Sequence, residues 1–394
     1  MNSEYHFLMH LNQKKAHLFL LMLLVVIGIF ICPLAAHAQT PVIPPDADTS
    51  RLRPVPLPLP SVPNFDLRIE TPEKSVVPKA VDELTFEIKE VIVDGARYYK
   101  SSEVRRFFDP LIGNTATLSA VREAADKLEE RYRKDGFFLV RVFIPPQQVK
   151  DGLFRIRVIE GFIEAVSAEG GTEAVRQLVE GMLAHVVNKQ PIDLRSLERA
   201  LLILNDMPGV RGSGILRQGG QLGASELVVS LSELPKKSYV IGINNTASKT
   251  MGEISLLLSM TIDNPFESHP GQLSMGFNTS GNTERLKAFN ARYAAPVGTQ
   301  GVVMSIGGLI ANAKPGASLR SLDIESNSAS LGPRVRYALM RSRGMSAYVD
   351  GGLTLNHSRT TLLGSELTLD RSTVFDVGLS ILDNDRWNGN TEFG

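Results

Sequence analysis

From Ser238 onward helical periodicity disappears and the chain alternates between two faces. Met345, Ala347, Val349, Gly351, Leu353 and Leu355 oppose Ser346, Tyr348, Asp350, Gly352, Thr354 and Asn356. Leu273, Met275 and Phe277 oppose Gln272, Ser274, Gly276 and Asn278, and Phe289, Ala291 and Tyr293 oppose Asn290 and Arg292. Phe375, Val377, Leu379 and Ile381 oppose Asp376, Gly378 and Ser380. A period of two is strand geometry, and Gly, Asn, Asp, Ser and Pro clusters separate the segments. One face is apolar, but the other carries Asp, Asn, Arg and Gly, where a soluble β-sandwich would need an apolar core. Long segments of this kind read as a transmembrane β-barrel, apolar outside and polar inside. After Ser238 the remaining length, at roughly 19 residues per strand and turn, allows about eight strands.

The other end of the chain supports export. Lys14 and Lys15 precede an apolar run from Leu18 to Ile31, and Ala36-His37-Ala38 forms a small-residue cleavage site. This is the layout of a secretory signal peptide over residues 1–38, cleaved after Ala38 with Ala36 as the other small residue. The apolar run is shorter than the ~20 residues of a spanning helix. Cys32 is the lone cysteine and leaves with the leader, so the mature chain has no disulfide or thiol nucleophile. Residues 39–83 follow as a proline-rich linker, with Pro54, Pro56, Pro58 and Pro60 alternating with Arg, Val and Leu. Such a segment favours extended polyproline conformation.

Between linker and alternating region the pattern is compact α/β, and it repeats. Residues 84–160 read as strand (Phe86 to Val93), short helix from Ser101, longer helix (Leu118 to Tyr132), strand (Phe138 to Ile144) and strand (Leu153 to Ile159). Residues 161–236 repeat the order: strand from Phe162, helix from Val175, helix from Leu194, strand from Val210 to Arg217 and strand from Glu226 to Leu231. Each copy can close its own core, so Leu84 to Leu234 is expected to fold without the alternating region. Glu129-Glu130-Arg131 and Arg133-Lys134 read as a solvated helix face.

Composition and motifs exclude several functions. Lys+Arg and Asp+Glu are both 42, so no net charge attracts a nucleic acid. No phosphate-binding G-x-x-x-x-G-K-[ST] loop, no nucleophile elbow and no triad spacing is present, so no enzyme site, cofactor or small-molecule substrate is expected. Asp383-Asn384-Asp385 lacks the glycine and third oxygen ligand of a calcium loop, because Trp387 stands there. His185, His269 and His357 are far apart, so no histidine metal cluster is expected. Trp387 is placed at the membrane interface.

The order of these parts resembles the outer-membrane transporters of two-partner secretion, the haemolysin-activator and filamentous-haemagglutinin-transporter family. The likeness lies in Phe86-Glu87-Ile88 through Val93-Asp94-Gly95, Tyr132 to Phe137, Ile159-Glu160-Gly161 and Leu204 to Val210. It continues through Gly242 to Gly252 and Asp263-Asn264-Pro265-Phe266. The resemblance implies tandem polypeptide-transport-associated (POTRA) domains of α+β class, β-α-α-β-β each, in the periplasm. They precede a transmembrane antiparallel β-barrel, residues 237–394, of which about half is present. That family's barrel has sixteen strands, and its Val-Arg-Gly-aromatic loop is missing from the barrel region here, so a truncated product or fragment is expected. The implied activity is capture of an unfolded secreted haemolysin- or adhesin-type partner, a large β-helical exoprotein, and its export without ATP through the β-barrel, which sits in outer-membrane lipid. An outer-membrane assembly factor and a truncated, non-transporting periplasmic binding protein are the alternatives.

Capture has a physical form in such modules: an extended client adds a strand to an open sheet edge. The expected edge in the first module is Phe138, Val140, Val142 and Ile144, beside Leu128 and Tyr132 on the helix. In the second module it is the strand containing Val210 and Ile215.

Overall fold

The computed structural model describes Thr49, residues 67–69, 84–232, 237–245 and 247–384, and the strand 390–393. Ala36 and Ala38, the prolines at 54, 56, 58 and 60, and Trp387 lie outside the described residues.

The first module begins with β2 (Thr85–Ile88) and β3 (Glu90–Asp94), after a short strand β1 (Leu67–Ile69) that pairs elsewhere. Helix α1 (Ser101–Arg105), β4 (Asn114–Thr117), helix α2 (Leu118–Lys134), β5 (Arg141–Phe143) and β6 (Leu153–Ile159) follow. Its main sheet runs β3-β6-β5, with β3 parallel and β5 antiparallel to the central β6. The Thr117 hydroxyl caps α2 by accepting from the Ala120 N–H. At the other end Gly136, at φ +100°, ends the helix, where the Phe137 N–H donates to the Tyr132 carbonyl. The chain then turns around the helix end, so the strand expected from Phe138 starts at Arg141, and Phe138 and Val140 precede it. Phe138 and Leu139 pack against the core of the second module. Alternation alone could not separate strand from an extended apolar crossing between modules.

The second module repeats the order with β7 (Phe162–Glu169), α3 (Glu173–Leu183), α4 (Leu194–Asp206), β8 (Gly212–Gln218) and β9 (Ala224–Leu231). Its sheet runs β1-β8-β9-β7. Val210 lies before β8 in a turn, its N–H donating to the Met207 carbonyl.

The remaining strands form one antiparallel sheet in chain order. They are β10 (Lys237–Asn244), β11 (Ser255–Asp263), β12 (Gln272–Ser280), β13 (Leu286–Val297), β14 (Val302–Ala313), β15 (Glu325–Arg341), β16 (Met345–Leu362), β17 (Ser365–Asn384) and β18 (Asn390–Phe393). Among the described residues that is nine strands, close to the eight expected, and β10 and β18 are edges that do not pair with each other. Exposed and buried faces fall as the sequence alternation predicts. Ile241, Ile243, Phe375 and Val377 are 73%, 74%, 71% and 65% exposed. Ser305, Ser326, Asp350, Ser358 and Thr360 on the other face are buried. A sheet that exposes its apolar face and buries its polar one is built for lipid on the apolar side. No described helix is long and apolar enough to cross a membrane.

The two modules close their cores differently. The first is self-contained, with Ile88, Phe108, Leu128, Tyr132, Phe154 and Ile156 essentially inaccessible. The second, around Leu183, Leu197, Leu201 and Leu227, extends into Ala294, Val303, Ala338 and Tyr348 of the large sheet. The expectation that Leu84 to Leu234 folds alone therefore meets a core that the large sheet completes.

Candidate functional site

The two edges expected to receive a client have opposite fates. In the first module β5 is an edge of only three residues, followed by Pro145 and Pro146, which cannot donate to a ladder. Glu129 of α2 is 7% exposed, and its Oε2 accepts from the Val142 N–H at 3.0 Å. That N–H thus points away from β6, along the free edge, and a carboxylate already satisfies it. The other carboxylate oxygen accepts from Arg133 at 2.9 Å and Arg141 at 3.2 Å. Glu129 is therefore not part of a solvated face. The helix turns it onto the strand, and the tertiary contact decides its role. Leu128, Tyr132, Val140 and Val142 are buried in the module core, and Ile144 packs partly against it.

In the second module β8 runs seven residues and pairs with β9 along its whole length, Gly212↔Leu231 to Gln218↔Ser225. Its other side accepts β1 in parallel register, Leu67↔Gly214, Arg68↔Ile215 and Ile69↔Leu216. Leu67 packs against the module core, while Arg68 and Ile69 face solvent. The chain's own N-terminal segment thus adds a strand where the sequence placed a client. Ile215 lies at the centre of that pairing and is half-buried, and Val210, buried, supports its base. A second point of the same segment, Thr49, lies buried against the polar face of the large sheet. The Ser328 hydroxyl donates to its carbonyl at 3.1 Å, and its own hydroxyl meets Ser326 at 2.9 Å.

The residues from Leu204 to Val210 set where β8 sits. The Asn205 side chain accepts from the Gly212 N–H at 2.9 Å and donates to the Gly212 carbonyl at 3.1 Å, fixing the start of the strand. Asp206 receives both ends of the Arg341 guanidinium at 2.7 Å each and the Tyr348 hydroxyl at 3.0 Å. Burial pushes the Asp206 carboxyl above its ordinary range, and the bonds from Arg341 and Tyr348 oppose that shift. Gly209, at φ +75°, lets the chain pass so close to Asn264 and Gly271 that a Cβ would meet the Asn264 side-chain oxygen at 2.5 Å. Asn264 in turn donates to the Gly209 carbonyl at 2.8 Å. Arg199 donates to the carbonyls of Ala338 and Leu339. Two segments far apart in sequence, Leu204 to Val210 and Asp263 to Phe266, thus meet in one joint between the second module and the large sheet. Their spacing in the sequence could not show it.

At the junction of the two modules Glu160 is 2% exposed, and one carboxylate oxygen accepts from the Arg97 N–H, the Tyr98 N–H and the Tyr132 hydroxyl, each at 2.8 Å. Burial first, and the bond to Glu160 second, raise the Tyr132 phenol. Among the described residues no group of three His, Cys, Asp or Glu could hold a metal ion. The polar face of the large sheet carries charge pairs, where Arg334 meets Asp376 and Arg336 meets Asp350 at 2.7 Å.

Comparison with known proteins agrees with this architecture. Residues 223–392 match the family model described as haemolysin secretion/activation protein ShlB/FhaC/HecB, and residues 86–161 match that of the POTRA domain, ShlB-type. Both matched segments are similar to parts of this family's transporters. The heme/hemopexin transporter protein HuxB of Haemophilus influenzae is 21% identical over 66% of this chain and 46% of its own length. The hemolysin transporter protein HpmB of Proteus mirabilis is 24% identical over 75% of this chain and 52% of its own length. The chain thus spans about half the length of these curated relatives. The solved structure of CdiB from Escherichia coli shares the fold, with a TM-score of 0.58 and 19% identity, covering 80% of this chain and 59% of that one.

Proposed function

We propose that this chain serves two-partner secretion as an outer-membrane polypeptide transporter. Its capture step uses the β8 edge of the second POTRA module. The chain sits in the outer membrane through its apolar-faced sheet, with both modules, residues 84–160 and 161–236, in the periplasm. The client is an unfolded secreted polypeptide of haemolysin or adhesin type, destined to form a β-helical exoprotein outside. One observation carries the reading: β8 already accepts the extended segment Leu67–Ile69 as an added strand. An extended client makes the same backbone bonds, and its alternate side chains enter the place of Leu67. Client and Leu67–Ile69 compete for one edge, so the edge is never left bare to aggregate. Without a nucleotide site, the direction of transfer comes from folding of the client outside.

Locking the edge tests this. Arg68 and Ile215 are cross-strand partners. In a chain with Cys32→Ser, the pair Arg68→Cys and Ile215→Cys should form a disulfide that holds β1 on β8. The oxidised protein should bind no unfolded β-helical exoprotein fragment, and reduction should restore binding. Equal binding in both redox states would remove β8 from the mechanism.

A further inference from the structure

The apolar face of the large sheet is not uniform. Across β13, β14 and β15 the row Ala291, Gly308, Leu331 and the row Phe289, Ile310, Ala329 lie side by side on that face. The small residues among them leave a groove of about 730 Å³, which His357 also lines. Gly308 keeps it open, since a Cβ there would meet the Ser330 carbonyl oxygen at 2.9 Å.

His357 continues the second row onto β16, opposite Ala329, and its partner on β17 is Arg371. Two basic side chains directly opposite on one face oppose each other when both are charged. Both are exposed, and among the described residues neither meets a carboxylate. Arg359, two residues along the same face, is paired with Glu366 at 3.2 Å and adds no free charge. Asp370 is Ser358's cross-strand partner and belongs to the opposite face.

Height along the membrane normal places this pair. The Leu339 and Ala338 carbonyls, near the turn joining β15 and β16, bond Arg199 of the second module, so that end of the sheet is periplasmic. From Met345, beside the turn, to His357 the strand advances on the order of 40 Å at ~3.3 Å per residue, or about 30 Å along the normal at a ~40° tilt. An apolar band is about 25 Å tall, so His357 and Arg371 stand at the outer headgroup level with the groove below them.

We propose that this groove and the His357–Arg371 pair form a binding site for a phosphorylated glycolipid of the outer leaflet, of lipid A type. An acyl chain lies over Gly308 between Phe289 and Leu331, and a phosphate bridges His357 and Arg371. The anion accepts a charge-assisted hydrogen bond from Arg371 and a second bond from the His357 ring. Arg371 has the reach to snorkel to a phosphate while its stem stays against the lipid-facing surface. A phospholipid of the inner leaflet does not reach the pair. The proposal rests on the reading that the sheet spans the outer membrane.

The test is native mass spectrometry of the full chain in detergent, titrated separately with bisphosphorylated lipid A, dephosphorylated lipid A and phosphatidylethanolamine. Bisphosphorylated lipid A should be retained roughly tenfold more tightly than the other two, the scale of one or two charge-assisted contacts. His357→Gln with Arg371→Gln should erase that preference, and Ala329→Trp, which fills the groove, should weaken both forms of lipid A. Equal retention of the three lipids by the unaltered chain, or an unchanged preference in the double variant, would overturn the site. Fractionation separates the two readings. A chain found in the outer membrane but indifferent to phosphate sinks this site alone, and a chain found in the soluble fraction sinks both.

Discussion

The first and second modules share an element order but treat their free edges in opposite ways. In the first, β5 is three residues long, and Glu129 holds the Val142 N–H that would otherwise face a partner. In the second, β8 is seven residues long and carries β1 on its outer side. The first module closes its own core, whereas the second shares its core with the large sheet. One fold therefore yields a capped edge and an edge that carries an added strand. The difference arises from which side chains the helices bring to the edges, not from the topology of the sheet. The second module is also tied to the large sheet, by the bonds of Arg341 to Asp206, Asn264 to Gly209 and Arg199 to Ala338.

The largest effect is expected where the second module meets the sheet. Asp206→Ala leaves the Arg341 guanidinium buried without its carboxylate, which costs about 3–5 kcal/mol for a pair of this kind. Urea unfolding of the full chain should show the second module's transition move by that amount while the tyrosine signal of the first module stays put. If both transitions move together, the modules are one cooperative unit and the contrast fails.

A smaller effect is expected at the capped edge. Glu129→Ala leaves the Val142 N–H without its acceptor, a loss of about 1–3 kcal/mol in the first module. Hydrogen exchange at Val142 should accelerate, and a client fragment that ignores the unaltered β5 should begin to crosslink at Phe143→Cys. Unchanged client contact would mean that the shortness of β5, and not Glu129, seals it.

The smallest effect concerns alkaline pH and the first module. Burial and the hydrogen bond to Asp135 push the Tyr99 phenol up from 10.0 to about 12, and burial with Glu160 raises Tyr132 in the same direction. An unfolded chain gives up such protons at lower pH than the folded module does. The stability they contribute is complete below pH 10 and is lost as the pH rises toward 12. The midpoint of the first module should therefore fall over that window, as followed by its unfolding transition at stepped pH.

Much of the fold is legible in the sequence because it rests on short-range rules. The two-residue alternation of β16 and β17 assigns lipid and polar faces correctly down to Tyr348, Asp350 and Asp376, since strand geometry leaves no other option. The helices from Leu118 and Leu194 follow from apolar spacing, and the structure adds the caps Thr117 and Asp193. The short strand β4 escaped, because four residues, Asn114-Thr115-Ala116-Thr117, carry no apolar period. The candidate site was half legible. The order of elements put β8 at an edge, but nothing local distinguished it from β5.

What the sequence determined by itself was the set of parts: a proline-rich segment, two β-α-α-β-β repeats and an alternating sheet with an apolar outer face. Each depends on the period or chemistry of neighbouring residues. Only the tertiary structure decided what covers each edge, because that depends on contacts across long stretches of chain. Glu129 reaches Val142, Leu67 reaches Gly214, and Asp206 reaches Arg341. Backbone donors at a sheet edge are alike in every sequence; whether one is free is settled by what else folds against it.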